Sequence, residues 1–180
     1  MKKMIKLLTV ALFGVLLSAS FANGQKLAYI NSSELIALMP ERDSAVIKMQ
    51  NFQKELAETG QSMEADYNTK AKEFQDKRNT WAPAVVDSKT KELSDLEQRI
   101  NQFYQQAQQD LAQRQETLMA PIVQKAQDAI NKVAKEQGIA YVLEASSMVY
   151  VDTAQAINLL AAVKAELGIP ASKTQPTQIN

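Results

Sequence analysis

From Leu93 to Val133 the chain repeats one spacing, with a residue of one kind at steps of 3, 4 and 4. The series is Leu93, Leu96, Ile100, Tyr104, Ala107, Leu111, Gln115, Leu118, Ile122, Ala126, Ala129 and Val133. Eleven of these twelve are apolar or aromatic, and the residues between them are mostly Gln, Glu, Asp, Lys and Arg. Eleven residues in three turns, about 3.67 per turn, keep a stripe almost straight along an α-helix. A shorter copy runs through Met49, Phe52, Leu56, Gly60, Met63, Tyr67, Ala71, Phe74 and Arg78. Trp81-Ala82-Pro83-Ala84 separates the two. Two long one-faced helices in tandem predict an antiparallel hairpin over 45–137, with its turn near 81–86. Each stripe is then a seam between the arms, holding Leu96, Ile100, Leu111, Leu118 and Ile122. Such a hairpin has no compact core along most of its length, and is expected to project.

The N-terminal 24 residues bear on compartment. Lys2, Lys3 and Lys6 precede an apolar run from Leu7 to Leu17, followed by Ser18-Ala19-Ser20-Phe21-Ala22-Asn23-Gly24. That order reads as a secretory signal peptide over 1–24, cleaved after Gly24 or after Ala22. The apolar run is shorter than the ~20 residues needed to span a bilayer, so no integral span is expected after cleavage. The chain has no Cys and no His. Disulfide staples, thiol catalysis and His-centred acid–base or metal chemistry are therefore closed to it. Its 20 basic and 20 acidic residues balance, and removing the three leader lysines leaves a slight acidic excess. Nothing there points to nucleic acid.

Short segments flank the hairpin. Lys26–Ile30 alternates and reads as a strand. Asn31, with Glu34 three residues on, opens a short helix that Pro40 ends or bends. Gly138 stops the second arm. Ile139–Glu144 and Met148–Val151 read as two strands of a hairpin joined by Ala145-Ser146-Ser147. Asp152 with Gln155 caps a last amphipathic helix carrying Ala156, Ile157, Leu160, Val163 and Leu167, stopped by Gly168 and Pro170. Residues 169–180 read as a polar, disordered tail. The fold class is thus α+β: a discontinuous body, 25–44 and 138–168, from which the helical arm emerges. So small a body is marginal alone and calls for oligomerisation, pairing the edges of its short strands.

These segments resemble the Skp/OmpH family of periplasmic chaperones. The likeness lies in Lys26–Asn31, in the return helix around Ala120-Pro121-Ile122-Val123, in Ala129–Gly138, in Tyr141–Leu143 and in Met148–Val151, in that order around an inserted hairpin. The resemblance implies a homotrimer with a shared β-body, here drawing on Leu27, Tyr29, Ile30, Tyr141, Val142, Leu143, Val149 and Tyr150. It implies an ATP-independent holdase whose arms keep unfolded outer-membrane proteins from aggregating before insertion. It implies a periplasmic location, with peripheral outer-membrane association left open, and no cofactor or metal.

Residues off the seam are the candidates for client contact: Trp81 at the turn, Val85, Val86, Phe103, Met119 and Val123. Local packing against the other arm is the competing reading for each. Pro121 removes a helix hydrogen bond and is expected to bend the second arm. The family's best-known members have strongly basic arms. Here the first arm carries six basic and six acidic residues, and the return arm seven and eight. Charge steering and a lipopolysaccharide site are therefore not carried over. A coiled-coil spacer of the envelope would use the same hairpin as a rod. An enzyme would need a convergent polar cluster, whereas the β-segments offer only Glu144 and Asp152, the latter read as a cap.

Overall fold

The computed structural model describes residues 26–174; the expected signal peptide and residues 175–180 lie outside them. Element order is β1 (Lys26–Ile30), α1 (Ser32–Leu38), α2 (Pro40–Lys77), α3 (Pro83–Glu136), β2 (Ile139–Glu144), β3 (Ala156–Asn158) and α4 (Leu160–Glu166). The described residues form two compact units, 26–32 with 129–168, and 33–128 with 169–174. In sequence, the borders of these units fall beside Ser32 at the start of α1, beside Ala129 inside α3, and after Gly168.

The first unit is built on a three-stranded sheet, ordered β2-β1-β3, with both neighbours parallel to β1. This corrects the sequence reading of Met148–Val151 as a strand antiparallel to β2. The Ser147 hydroxyl donates to the Glu144 carbonyl at 2.8 Å and Met148 N–H to Ala145 at 3.3 Å, closing a 3₁₀ turn over Ala145–Ser147. That turn directs the chain away from the edge of β2. Asp152 then accepts from Ala154 N–H at 2.9 Å and from the Gln155 amide at 3.1 Å. The pair expected to cap a helix folds a turn instead, and Ala156–Asn158 becomes the third strand. The other edge of β1 otherwise leaves main-chain groups unpaired; Leu159 N–H extends the pairing to Tyr29 O at 3.0 Å. The last helix is consequently shorter than expected. It starts where Asn158 Oδ1 accepts from Leu160 N–H at 2.9 Å.

Helix ends follow local chemistry. Gly138 and Gly168 both have positive φ, 64° and 68°, terminating α3 and α4 in the left-handed conformation that glycine adopts without strain. Glu144 reaches from the end of β2 to the start of α1, and both its oxygens lie 3.2 Å from Ser32 N. Burial alone raises its carboxyl, but hydrogen bonds from Ser32 and Ser146 outweigh this and hold it below the usual carboxylate range. The acid singled out in the β-segments is therefore a helix cap. Ala28, Ile30, Ala129, Ile130, Val133, Leu159 and Val163 are buried and make this unit's core.

In the second unit, α2 begins at Pro40, earlier than the expected Ala45. Proline suits a first helical position, where its missing N–H is not required. The two arms run antiparallel, as four contacts fix: Glu41 with Lys125, Phe52 under the Arg114 guanidinium at 6.0 Å, Glu64 with Tyr104 at 2.7 Å, and Lys70 with Glu92 at 2.6 Å. Each pair's residue numbers sum to between 162 and 168, the constant sum of two helices in antiparallel register. The expectation of a disordered tail over 169–180 is corrected for its first residues. Ile169 is buried, Lys173 N–H bonds Pro170 O at 3.0 Å, and the Lys173 ammonium lies 3.1 Å from Asp43. An apolar side chain and an ion pair thus hold a segment that composition reads as unstructured.

Candidate functional site

Two surfaces carry the sites read from the sequence. The first is the arm pair. From Met49 to Phe74 every member of the 3-4-4 series is buried or half-buried, and of the residues between only Lys70 is not exposed. Arg78, the last member, is exposed past the end of α2. On α3, Leu96, Ala107, Ile122 and Ala126 are buried, while Leu93, Ile100, Leu111 and Leu118 are half-buried. Gln115, the polar interruption, is exposed.

Gly60 receives the side chain of Tyr104 from the other arm. A Cβ built there would meet the Tyr104 hydroxyl at 2.7 Å, so the ring lies over bare backbone and donates its hydroxyl to Glu64. Nearer the turn, Glu92 accepts from Lys70 at 2.6 Å and Lys89 at 2.8 Å, and these bonds hold its carboxyl at about 2.

The off-seam candidates occupy different places. Trp81 is half-buried and packs on Phe74 at 6.1 Å, a cover for the turn. Val85 and Val123 are exposed, 41% and 47%. Val86, Phe103 and Met119 are half-buried, with Phe103 edge-on to Tyr104 at 5.6 Å. Helix α3 runs unbroken through Pro121, whose ring lines an open cleft of about 350 Å³ together with Glu41, Lys48 and Lys125. A second cleft of about 390 Å³ contains Val46, Met49, Leu118 and Met119. Ile47, exposed by 57% on the outer side of α2, escaped the sequence reading. Its offset of two from Met49, which places it off the seam, was the available signal.

The second surface is one face of the sheet. Register places Leu27 beside Tyr141 and Tyr29 beside Leu143, so these four side chains share a face. Leu27, Tyr141 and Leu143 are 44%, 57% and 46% exposed, and Val149 and Tyr150 on the following segment are more so. Tyr29 and Val142 are half-buried, whereas Ile30 belongs to the unit's own core. These residues thus form an exposed apolar group on one strand face. No described helix is long and apolar enough to cross a membrane.

The profile of the outer membrane protein (OmpH-like) family matches residues 26–167. The sequence is 30% identical over 154 residues to the chaperone protein Skp of Vibrio cholerae serotype O1, across 83% of this chain and 90% of that one. It is 28% identical over 150 residues to Skp of Escherichia coli K12, across 82% and 89%. A solved OmpH-like protein of Caulobacter crescentus CB15 superposes with a TM-score of 0.70 over 87% of this chain and 94% of that chain, at 12% identity. At that identity the likeness is one of fold.

Proposed function

Because the chain belongs to the family of OmpH-like outer membrane proteins, we propose that it is a periplasmic holdase chaperone. It binds unfolded outer-membrane proteins without ATP and keeps them from aggregating before they insert. The observation that carries this reading is the arm pair, which closes its own seam and still leaves apolar groups such as Val85 and Val123 open to solvent. A rod serving only as a spacer gains nothing from such groups. Holding requires many weak apolar contacts that release a client intact, and exposed apolar side chains spaced along a long helix pair supply them. The relatives named Skp, similar over most of the chain, support the same reading.

The working form is a homotrimer joined through the face bearing Leu27, Tyr141 and Leu143, with Val149 and Tyr150 at its margin. Burying a side chain of that kind contributes ~1.5–3 kcal/mol, enough in aggregate to hold three small sheets together. The test is light scattering from an unfolded outer-membrane β-barrel diluted out of urea, with the mature protein added and no nucleotide. Scattering should be suppressed in proportion to the protein added. Unchanged scattering at a severalfold excess would favour a spacer and refute the holdase.

A further inference from the structure

The two clefts beside the seam differ in chemistry, and the difference selects the flank on which a client lies. The cleft containing Pro121 is ringed by charge: Glu41 paired with Lys125, and Lys48. Further toward the turn on this flank, Glu55, Asp110 and Arg114 line the next hollow. Phe103 lies there too, since steps of 7, 4, 3 and 4 lead from it through 110, 114 and 117 to 121, which keeps one helical face.

The opposite cleft is floored by Val46, Met49, Leu118 and Met119 and rimmed by Gln50, Gln53 and Gln115. Its single charged lining residue, Arg42, lies 3.7 Å from Asp43, which also takes the Lys173 ammonium at 3.1 Å. Val123, one turn beyond Met119 on the same face, continues the apolar surface.

We infer that this second cleft is the client subsite, taking one large apolar side chain of an extended, uncharged polypeptide segment whose main chain bonds the glutamine amides. Methionine is unbranched and polarisable, so a floor with Met49 and Met119 adapts to side chains of differing shape. Glutamine both donates and accepts, which matches peptide N–H and C=O groups along an extended chain. A transmembrane β-strand in its unfolded state supplies that chemistry, with an apolar side chain at every second position. A second copy's arm is a poorer occupant, because its outward faces carry Lys54, Glu55 and Glu58 and would bring several charges into a cleft whose one charged residue, Arg42, already lies beside Asp43. The assignment rests on the holdase reading and adds to it which flank of the arm binds.

The chain has no cysteine, so Met119→Cys and Phe103→Cys each give a single site for an environment-sensitive fluorophore on the mature protein. The probe is a synthetic peptide of alternating Leu or Tyr with Ser or Gln, without charges. Label at 119 should shift to the blue on titration, and label at 103 should not. Val46→Ser with Met119→Ser should weaken peptide binding at least fivefold, with helicity and oligomeric state retained at the assay temperature. Gln53→Glu, at an exposed position that cannot unfold the arm, replaces a donor with an acceptor and should weaken binding at least threefold. Variants that bind within twofold of the native chain overturn the subsite, as does an equal response at 103. So does a change of oligomeric state on Met119 substitution, which would assign the cleft to a second copy. Loss of scattering protection by the native chain is a separate result and refutes the holdase reading itself.

Discussion

Glu92 shows how a single residue can couple the arms without a core. It lies on α3, accepts from Lys70 of α2 and Lys89 of its own helix, and has its carboxyl held at about 2 by those bonds, Lys70 first. A carboxyl lowered in the folded state contributes stability that is present above its unfolded value, here 4.5, and lost as pH falls toward 2. Glu41 and Glu73 are lowered as well, by Lys125 and Lys77 in turn. The melting temperature of the native protein should therefore drop between about pH 4.5 and 2. Glu92→Gln should lie below the native at pH 6 and flatten this slope, the two curves converging near pH 2. Thermal circular dichroism across that range checks it, and parallel curves for the two proteins would deny Glu92 this role. Gly60 acts at the same scale by a different means, its missing side chain making room for Tyr104.

At the scale of elements, the arms are stabilised by matching seams rather than by helix propensity. The contacts fix an antiparallel register in which Gly60–Lys70 lies opposite Asp95–Gln105. Deleting both stretches removes one eleven-residue repeat from each helix, keeps each stripe on its face and shortens each arm by roughly 16 Å. The matched deletion should fold with near-native helicity and, on the proposed holdase reading, hold large clients less well. Deleting Gly60–Lys70 alone leaves the α2 seam one repeat short against α3 and should melt at least 5 °C below the matched form. Equal melting of the two would refute pairing by repeats of eleven. Pro121 costs the Thr117 carbonyl its usual helical donor, yet α3 remains one helix on either side of it. The sheet elements are set by competition for the edges of β1, whose two neighbours arrive from distant parts of the chain.

For the whole molecule, the prediction concerns assembly. Leu143→Asp places a carboxylate among Leu27, Tyr29 and Tyr141 on the open face, and an unpaired buried carboxylate costs several kcal/mol. Against the marginal stability of a small domain, that should dissociate the proposed trimer, read by multi-angle light scattering, and lower thermal stability. A variant still trimeric at micromolar concentration would move the interface off this face. Much of this protein was legible from residue order: the two arms, their antiparallel return, the first two strands and the glycine stops. All of these rest on local signals, a sustained period along one helix or the conformational freedom of one residue. The third strand was not legible, because Ala156-Ile157-Asn158 fits a helix face or a strand equally well until the vacant edge of β1 decides. The exposed segment at Val149 and Tyr150 was misread for the same reason, since β-rich composition does not say whether an edge is free to pair. The two flanks of the arms were also hidden. The seam depends on one helix's period, but a cleft depends on which residues of the other helix stand opposite, and only the register between the arms supplies that.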